Sequence, residues 1–454
     1  MPRQIFPHPL VLLVGGIVLA AVLTWLVPAG EFARRDDAAT GRTVVVAGTY
    51  HRVAPQPVGP FRAMVDIPKG LINAADIVFF VFLVGGAFTV VDKTGALRGA
   101  VDWLARHLEN RRVLVIPVIC TVFSLGGAFE NLQEEIIAMV PVLLLLCRRL
   151  GYDPLTAAAM SIGAASVGSA FSPVNPFQAV IAEKLAQLPA ASAAGYRMAF
   201  FVPALVWWIW GTQRHAQRAM AAAVVAPANP ALEPEPPPAP LKGASLVILV
   251  LVGAAFAVFI LGVLRWDWGF EQMTAVFFSL GIAAGLIGGL GASGTALAFV
   301  EGFQAMAFAA LLIGFARAIF VVLEDGKVVD TIVACVFAPL AHLPVVLSAA
   351  GMMGVQTLLH FPVPSVSGQA VLTLPILVPL ADLLGLSRQV VVLAYQYGAG
   401  LCELLTPTNG ALMAILGAAG VRYEAWLRFT VPMYLGLAGL GLIAVVVGVM
   451  TGLR

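Results

Sequence analysis

Apolar runs long enough to cross a membrane recur along the chain, separated by short polar stretches. Pro9 to Gly30 carries no charge, nor does Ala244 to Leu264, nor Gln272 to Val300. About 20 apolar residues in a helix cross the hydrocarbon of a bilayer. The pattern predicts spans at 9–28, 70–91, 198–212, 244–264, 272–290, 303–323 and 429–449, the second interrupted only by Asp76. The first apolar run is too long for a signal peptide and lacks a small-residue cleavage site, so it reads as a retained span. Glu31 to Lys69 is polar, and Val44-Val45-Val46 with its flanking turn residues predicts a small β-hairpin outside the membrane. Asp92 to Arg112 reads as a charged loop with an amphipathic helix.

Two regions break the pattern. In residues 112–149 the apolar arms Val113–Phe129 and Ile136–Leu146 flank Glu130-Asn131-Leu132-Gln133-Glu134-Glu135. The second arm reaches only about 16 Å at 1.5 Å per residue, roughly half a bilayer. A re-entrant hairpin with a polar tip fits this better than two complete crossings. Residues 154–187 then form a long helix, uncharged from Pro154 to Ala182, whose middle reads Ser172-Pro173-Val174-Asn175-Pro176. Two prolines within four residues remove two amide donors and interrupt the helix.

The same order recurs downstream. A second hairpin spans 343–381 around Pro364-Ser365-Val366-Ser367-Gly368-Gln369, and a second long helix, 389–420, breaks at Thr406-Pro407-Thr408-Asn409-Gly410. A shift of 234 positions places Pro141 on Pro375, Leu150-Gly151 on Leu384-Gly385, Pro173 on Pro407 and Asn175 on Asn409. Residues 219–243, rich in proline, form a cytoplasmic linker between repeats 1–218 and 244–454. An odd number of crossings per repeat would invert one copy relative to the other. The expected fold is therefore an all-α polytopic membrane protein. It has two inverted repeats, each with a re-entrant helical hairpin and a discontinuous transmembrane helix.

Composition agrees with lipid as the solvent: the chain is 60% hydrophobic and 11% charged, against about 25% charged in soluble domains. A net charge of +2, with scattered lysines and arginines, gives no sign of a nucleic-acid partner. Basic residues favour a cytoplasmic amino terminus only weakly. Cys120, Cys147, Cys335 and Cys402 lie in or beside apolar stretches without metal-ligand spacing and read as packing residues.

Several groups of residues resemble the C4-dicarboxylate anaerobic carrier family, in particular its branch of basic amino acid antiporters. They include His8-Pro9, Val27-Pro28-Ala29-Gly30-Glu31-Phe32, Gly48-Thr49-Tyr50, Gly85-Gly86-Ala87-Phe88 and Lys93-Thr94-Gly95. Further along come Glu134-Glu135, Asn175-Pro176-Phe177, Pro364-Ser365, Ser367-Gly368-Gln369 and Pro407-Thr408-Asn409-Gly410. The resemblance runs nearly end to end. It implies the ion-transporter superfamily, with a scaffold, a mobile transport domain, elevator-like alternating access and a homodimer in the bacterial inner membrane. The sequence departs at the hairpin tips. The sodium-coupled relatives carry Ser-Asn-Thr at both, whereas here Glu130 to Glu135 and Ser365-Val366-Ser367 stand there, so Na⁺ and H⁺ both remain open as coupling ion.

Paired interrupted helices in two halves point to a transporter's binding site. A broken helix exposes amide donors, which attract carboxylates, and carbonyls, which hold cations. The candidate solute contacts are Glu130, Asn131, Glu134, Glu135, Ser172, Asn175, Ser365, Ser367, Gln369, Thr406, Thr408, Asn409 and Arg317. The candidate coupling groups are Glu134, Glu403, Asn175 and Asn409. Each has a plainer reading: the glutamates as helix caps, the breaks as packing kinks, and Arg317 as a counter-charge to Glu403. His342 and His360 read as packing residues, and Gly281–Gly294 as a close helix contact. The expected function is secondary transport of a small carboxylate-bearing solute, an amino acid or a C4-dicarboxylate, across the inner membrane by symport or antiport. A passive pore for small anions and a proton-coupled exporter of peptide-like or basic solutes are the alternatives. No hydrolase or metalloprotease motif supports an enzyme, and no organic cofactor or metal is expected.

Overall fold

The computed structural model describes residues 9–37, 42–97, 99, 112–189, 191–225, 243–266, 268 and 270–453. The expected loop helix at 92–112 and the linker at 219–243 fall largely outside the described residues. The chain is mostly helical. Helix α1 (Pro9–Leu26) leads into two short antiparallel ribbons. Strand β1 (Gly30–Glu31) pairs with β4 (His51–Arg52), and β2 (Arg34–Asp37) pairs with β3 (Arg42–Val45) in the register Arg34 to Val45. The expected hairpin at Val44 is thus present. It is fastened to the turn and short helix at residues 327–330: Phe32 N donates to Asp330 at 2.8 Å, Arg34 pairs with Asp330 at 3.0 Å, and Lys327 pairs with Glu31. The Lys327 hydrogen bond holds the Glu31 carboxyl below the usual carboxylate range.

The second predicted span needs correction. Gly70 to Asn73 end a separate amphipathic helix, α2 (Pro60–Asn73), and the apolar helix α3 begins only at Ala75 (Ala75–Lys93). The backbone leaves helical geometry at Ala74, whose amide bonds back to Gly70. Gly70 is needed there, because a Cβ would meet the backbone at Gly314 and Ala318. Asp76 therefore sits in the first turn of α3 and not inside a span.

Two hairpins and two broken helices follow. The first hairpin is α4 (Arg112–Glu130) with α5 (Glu134–Leu150); the first broken helix is α6 (154–171) with α7 (176–185). Within α6 the ladder loosens to a π-turn at Ala159–Gly163, where the Trp208 indole takes the Ala159 carbonyl at 2.8 Å. Helix α8 (Ala194–Val225) is longer than the predicted 198–212. Helices α9 (Gly243–Trp266), α10 (Phe270–Ile287) and α11 (Gly291–Asp325) open the second half. Helix α11 starts well before the predicted 303. The left-handed glycines Gly289 and Gly291 set its start, and Glu301, which hydropathy takes for a boundary, lies on the surface paired with Lys93 at 2.6 Å. After the short helix α12 (Val329–Phe337) come the second hairpin, α13 (Val345–Leu359) with α14 (Val366–Leu384), and the second broken helix, α15 (Arg388–Cys402) with α16 (Gly410–Ala418). Helix α17 (Tyr423–Met450) ends the chain.

Boundaries recur at the 234-residue offset. Helices α5 and α14 both end on a glycine in the left-handed conformation, Gly151 and Gly385. Asn175 and Asn409 both cap the helix after a break. In the core, α4 crosses α6 at two reciprocal glycines. A Cβ on Gly127 would strike the Ala165 carbonyl, and one on Gly168 the Ser124 carbonyl. We expect Gly168→Ala to force these helices apart at a cost of about 1–3 kcal/mol, read as a lower thermal midpoint of the detergent-solubilised protein. Gly253→Ala, where nothing lies within 4 Å, is the control; equal midpoints for the two would overturn the close crossing.

Candidate functional site

The two breaks differ in kind. At the first, Ser172 leaves α6 in extended conformation and Asn175 caps α7, accepting from the amides of Phe177 and Gln178 at 2.9 and 2.8 Å. Ser172 Oγ donates to the Ala128 carbonyl at 2.6 Å, and Asn175 Nδ2 to the Gly127 carbonyl at 2.7 Å. Gln396, from the second half, donates to the Ser172 carbonyl at 2.6 Å. Ser172 and Asn175 are completely buried and do not line the cavity at the second break. This break is sealed against α4.

At the second break the backbone is satisfied from behind. The Trp426 indole donates to the Leu404 carbonyl at 2.8 Å, and the Tyr423 hydroxyl to the Leu405 carbonyl. Asn409 caps α16 through Leu412 N at 3.0 Å, and Thr408 donates to the Phe361 carbonyl at 3.1 Å. With the backbone provided for, Glu403, Thr408 and Asn409 face a cavity of about 390 Å³.

Both hairpin tips reach that cavity. From the first come Asn131, Gln133, Glu134 and Glu135; from the second, Pro364, Ser365 and Ser367. Asn131 takes a left-handed φ of 57°, which asparagine tolerates better than most residues. Its Oδ1 accepts from Gln178 Nε2 at 3.1 Å. Ser365 caps α14, its Oγ accepting from Gly368 N at 3.2 Å. Asp76 and Asn73 enter from the α2–α3 junction, Arg317 from α11, and Phe177 supplies an apolar wall.

Gln133 holds the arrangement together. Its Nε2 donates to Glu403, its Oε1 accepts from Asn409 Nδ2 at 3.3 Å, and its amide donates to Glu135 Oε2 at 3.0 Å. One side chain from the first hairpin thus engages both edges of the second break.

Of the residues expected from sequence, Asn131, Glu134, Glu135, Ser365, Ser367, Thr408, Asn409, Arg317 and Glu403 lie together on this wall. Ser172, Asn175, Gln369 and Thr406 do not. Gln369 instead joins a buried network with His360 (3.0 Å), the Gln356 carbonyl (2.7 Å) and Thr373, and Thr406 Oγ1 lies 3.2 Å from Cys402 Sγ. The side chain of Glu130 lies outside the described residues. Glu403 is hydrogen-bonded to Gln133, and Arg317, read from sequence either as a solute contact or as the counter-charge of Glu403, lines the same cavity. Sequence reasoning missed Asp76 as a site residue, although a lone charge in an apolar run was the available signal. It also passed over Gln133, which composition does not distinguish from its tip neighbours.

Chemically, the wall carries four carboxyl groups, Asp76, Glu134, Glu135 and Glu403, against the single guanidinium of Arg317. Like charges about 4 Å apart repel by roughly 4 kcal/mol at an effective dielectric of about 20. Such a wall favours a cationic group or bound protons, with one anchoring point for a carboxylate.

The sequence profile of the C4-dicarboxylate anaerobic carriers matches residues 6–452. An Escherichia coli (strain K12) protein named "Putative basic amino acid antiporter YfcC" is 31% identical, covering 98% of this chain and 96% of that one. An uncharacterized protein of Haemophilus influenzae is 28% identical over 98% and 97% of the two chains. Among solved structures, the YdaH transporter of Alcanivorax borkumensis matches with 17% identity and a TM-score of 0.43 over 98% of this chain and 99% of that one. MtrF of Neisseria gonorrhoeae matches with 16% identity and a TM-score of 0.40 over 98% and 96%.

Replacing Gln133 by leucine removes the donor to a buried carboxyl group. We expect a stability loss of about 1–3 kcal/mol, measured by thermal unfolding. The same change in a Glu403→Leu background should cost less, leaving a coupling on the order of 1 kcal/mol. Additive losses would show that the two side chains do not interact.

Proposed function

Because the chain belongs to the C4-dicarboxylate anaerobic carrier family, we propose that it is a secondary active transporter for an amphoteric, amino-acid-like solute. The carrying observation is the one cavity onto which both hairpin tips and the second break converge. Arg317 holds the solute's carboxylate, and the carboxyl groups of Asp76, Glu134 and Glu403 take its cationic group. A dicarboxylate would bring two more negative charges to this wall, so the charge pattern supports an amino acid, and a basic one above others. The name of the E. coli relative, "Putative basic amino acid antiporter YfcC", supports the same class.

In this reading the bilayer surrounds two inverted repeats, and the tips lie near mid-depth in the bacterial inner membrane. The extramembrane ribbon lies on the outer side, with the amino terminus in the cytoplasm. Such polar backbone survives in a membrane only where protein or a watery cavity satisfies it, and the second break meets that condition. Solute and a coupling H⁺ or Na⁺ share the acidic wall, so binding one changes the cost of binding the other. Glu403 is the coupling group, since a proton or cation there releases Gln133 and frees the first tip to move. Alternating access in a homodimer, with hairpins and broken helices moving against a scaffold of α1, α3, α9, α10 and α11, completes the scheme.

Counterflow in proteoliposomes tests this. We expect saturable uptake of labelled arginine or lysine that accelerates with the same solute inside, and little competition from succinate. Arg317→Gln should raise KM about tenfold or more, the loss of a charge-assisted hydrogen bond of about 1.5–3 kcal/mol. Flux that neither saturates nor shows counterflow would indicate a passive pore, and stronger competition by succinate than by lysine would reverse the solute class. Asn409→Ala should reduce uptake while the protein remains folded, whereas Asn175→Ala should lower the thermal midpoint further, because the buried Gly127 carbonyl loses its donor as well as the helix its cap. Equal effects of the two on folding and uptake would contradict the asymmetry of the breaks.

A further inference from the structure

A second cavity, of about 360 Å³, lies on the other side of the second hairpin tip. It shares Arg317, Pro364, Ser365 and Ser367 with the acidic cavity, so that side chain and that turn form a septum between the two. Its remaining polar lining comes from Arg34 and Thr43 of the extramembrane ribbon and from Glu324 of α11. The volume is sufficient for a small organic solute.

The charges on the two sides are opposed. The inner cavity has four carboxyl groups against Arg317; the outer has Arg34 and Arg317 against Glu324. Arg34 is partly engaged, with one Nη on Asp330 at 3.0 Å and the other on the Phe32 carbonyl at 3.3 Å. A guanidinium carries five donors, so it keeps others free. Arg317 is the less satisfied cation. Its Nε is buried with no hydrogen-bond partner among the described residues, and its guanidinium carbon lies 5.2 Å from the Phe320 ring centroid. The half-buried side chain lines both cavities, and a guanidinium placed so is suited to receive a carboxylate.

We propose that the outer cavity is an anion subsite where Arg34 and Arg317 receive the carboxylate of the incoming solute before its cationic end enters the acidic cavity. Arg317 is the shared ligand of both stages. The ribbon is pinned by Lys327–Glu31 to the turn after α11 and by Arg34–Asp330 to α12, which keeps Arg34 on the cavity wall. The solute assignment rests on the transport reading; the anion preference does not, and it can be measured without transport.

The test uses full-length protein in lipid nanodiscs with the exposed Cys335 replaced by serine; the other three cysteines are buried. Val371→Cys places a thiol on the outer cavity and Asn73→Cys one on the inner. Each is reacted with the anionic sulfonatoethyl and the cationic trimethylammonioethyl methanethiosulfonate. We expect the anionic-to-cationic rate ratio to be about a hundredfold higher for V371C than for N73C, since one unit charge at about 12 Å in a dielectric of about 20 speeds one reagent and slows the other by about tenfold each. Adding Arg317→Gln or Arg34→Gln should shrink that ratio, and acetate should slow the anionic reagent at V371C. Equal ratios at the two thiols, or a ratio indifferent to both arginine substitutions, overturns the subsite. Val329→Cys on α12 lines the same cavity and replaces V371C if that variant does not fold. Persistence of the anion preference in a protein that moves none of the solutes would sink the transport reading and leave the subsite standing.

Discussion

Everything in this structure depends on how interrupted backbone is satisfied where water is scarce. An unpaired peptide group in hydrocarbon costs several kcal/mol, so a helix broken inside a membrane must bring its own partners. The two breaks solve this differently. The first is closed by the Ser172 and Asn175 side chains, the Gly127 and Ala128 carbonyls and a glutamine from the opposite half. The second is closed from behind by Trp426 and Tyr423, which leaves Glu403, Thr408 and Asn409 free to face a cavity.

That asymmetry turns two related halves into one site. Position 175 and position 409 hold the same residue in the same capping role, yet only the second lines the cavity. The glutamines are exchanged across the halves as well: Gln396 reaches the first break and Gln133 the second. Any movement of one half against the other must therefore break a hydrogen bond at a break. In the second break that bond includes Glu403, so the charge on one carboxyl group and the position of a hairpin tip are linked directly.

Charge differs between the two cavities. The acidic wall discourages anions and the Arg317 septum attracts them, which is the basis of the proposed two-stage binding of a solute bearing both signs. The long helix α11 serves both ends of this gradient. It carries Arg317 at the septum, while Asp325 at its end pairs with Lys69 at 2.7 Å and Arg62 at 3.1 Å. Helix α2 is thereby held to the same rod that positions the guanidinium.

Hydropathy and proline placement alone determined the helical class, the hairpins, the positions of both breaks and most of the cavity wall. Those features are local: an apolar run, a pair of prolines or a polar tip is legible wherever it occurs. The tertiary structure alone decided which break is open, that α2 ends at Asn73 so that Asp76 enters the site, and that Gln133 joins the two halves. Each of these rests on contacts between residues far apart in the chain. Gly70 stops against α11, Trp426 and Tyr423 reach the Leu404 and Leu405 carbonyls, and Gln133 reaches Glu403 across 270 positions. A sequence states what each residue can offer in hydrogen bonds and charge; which partner takes up the offer depends on packing.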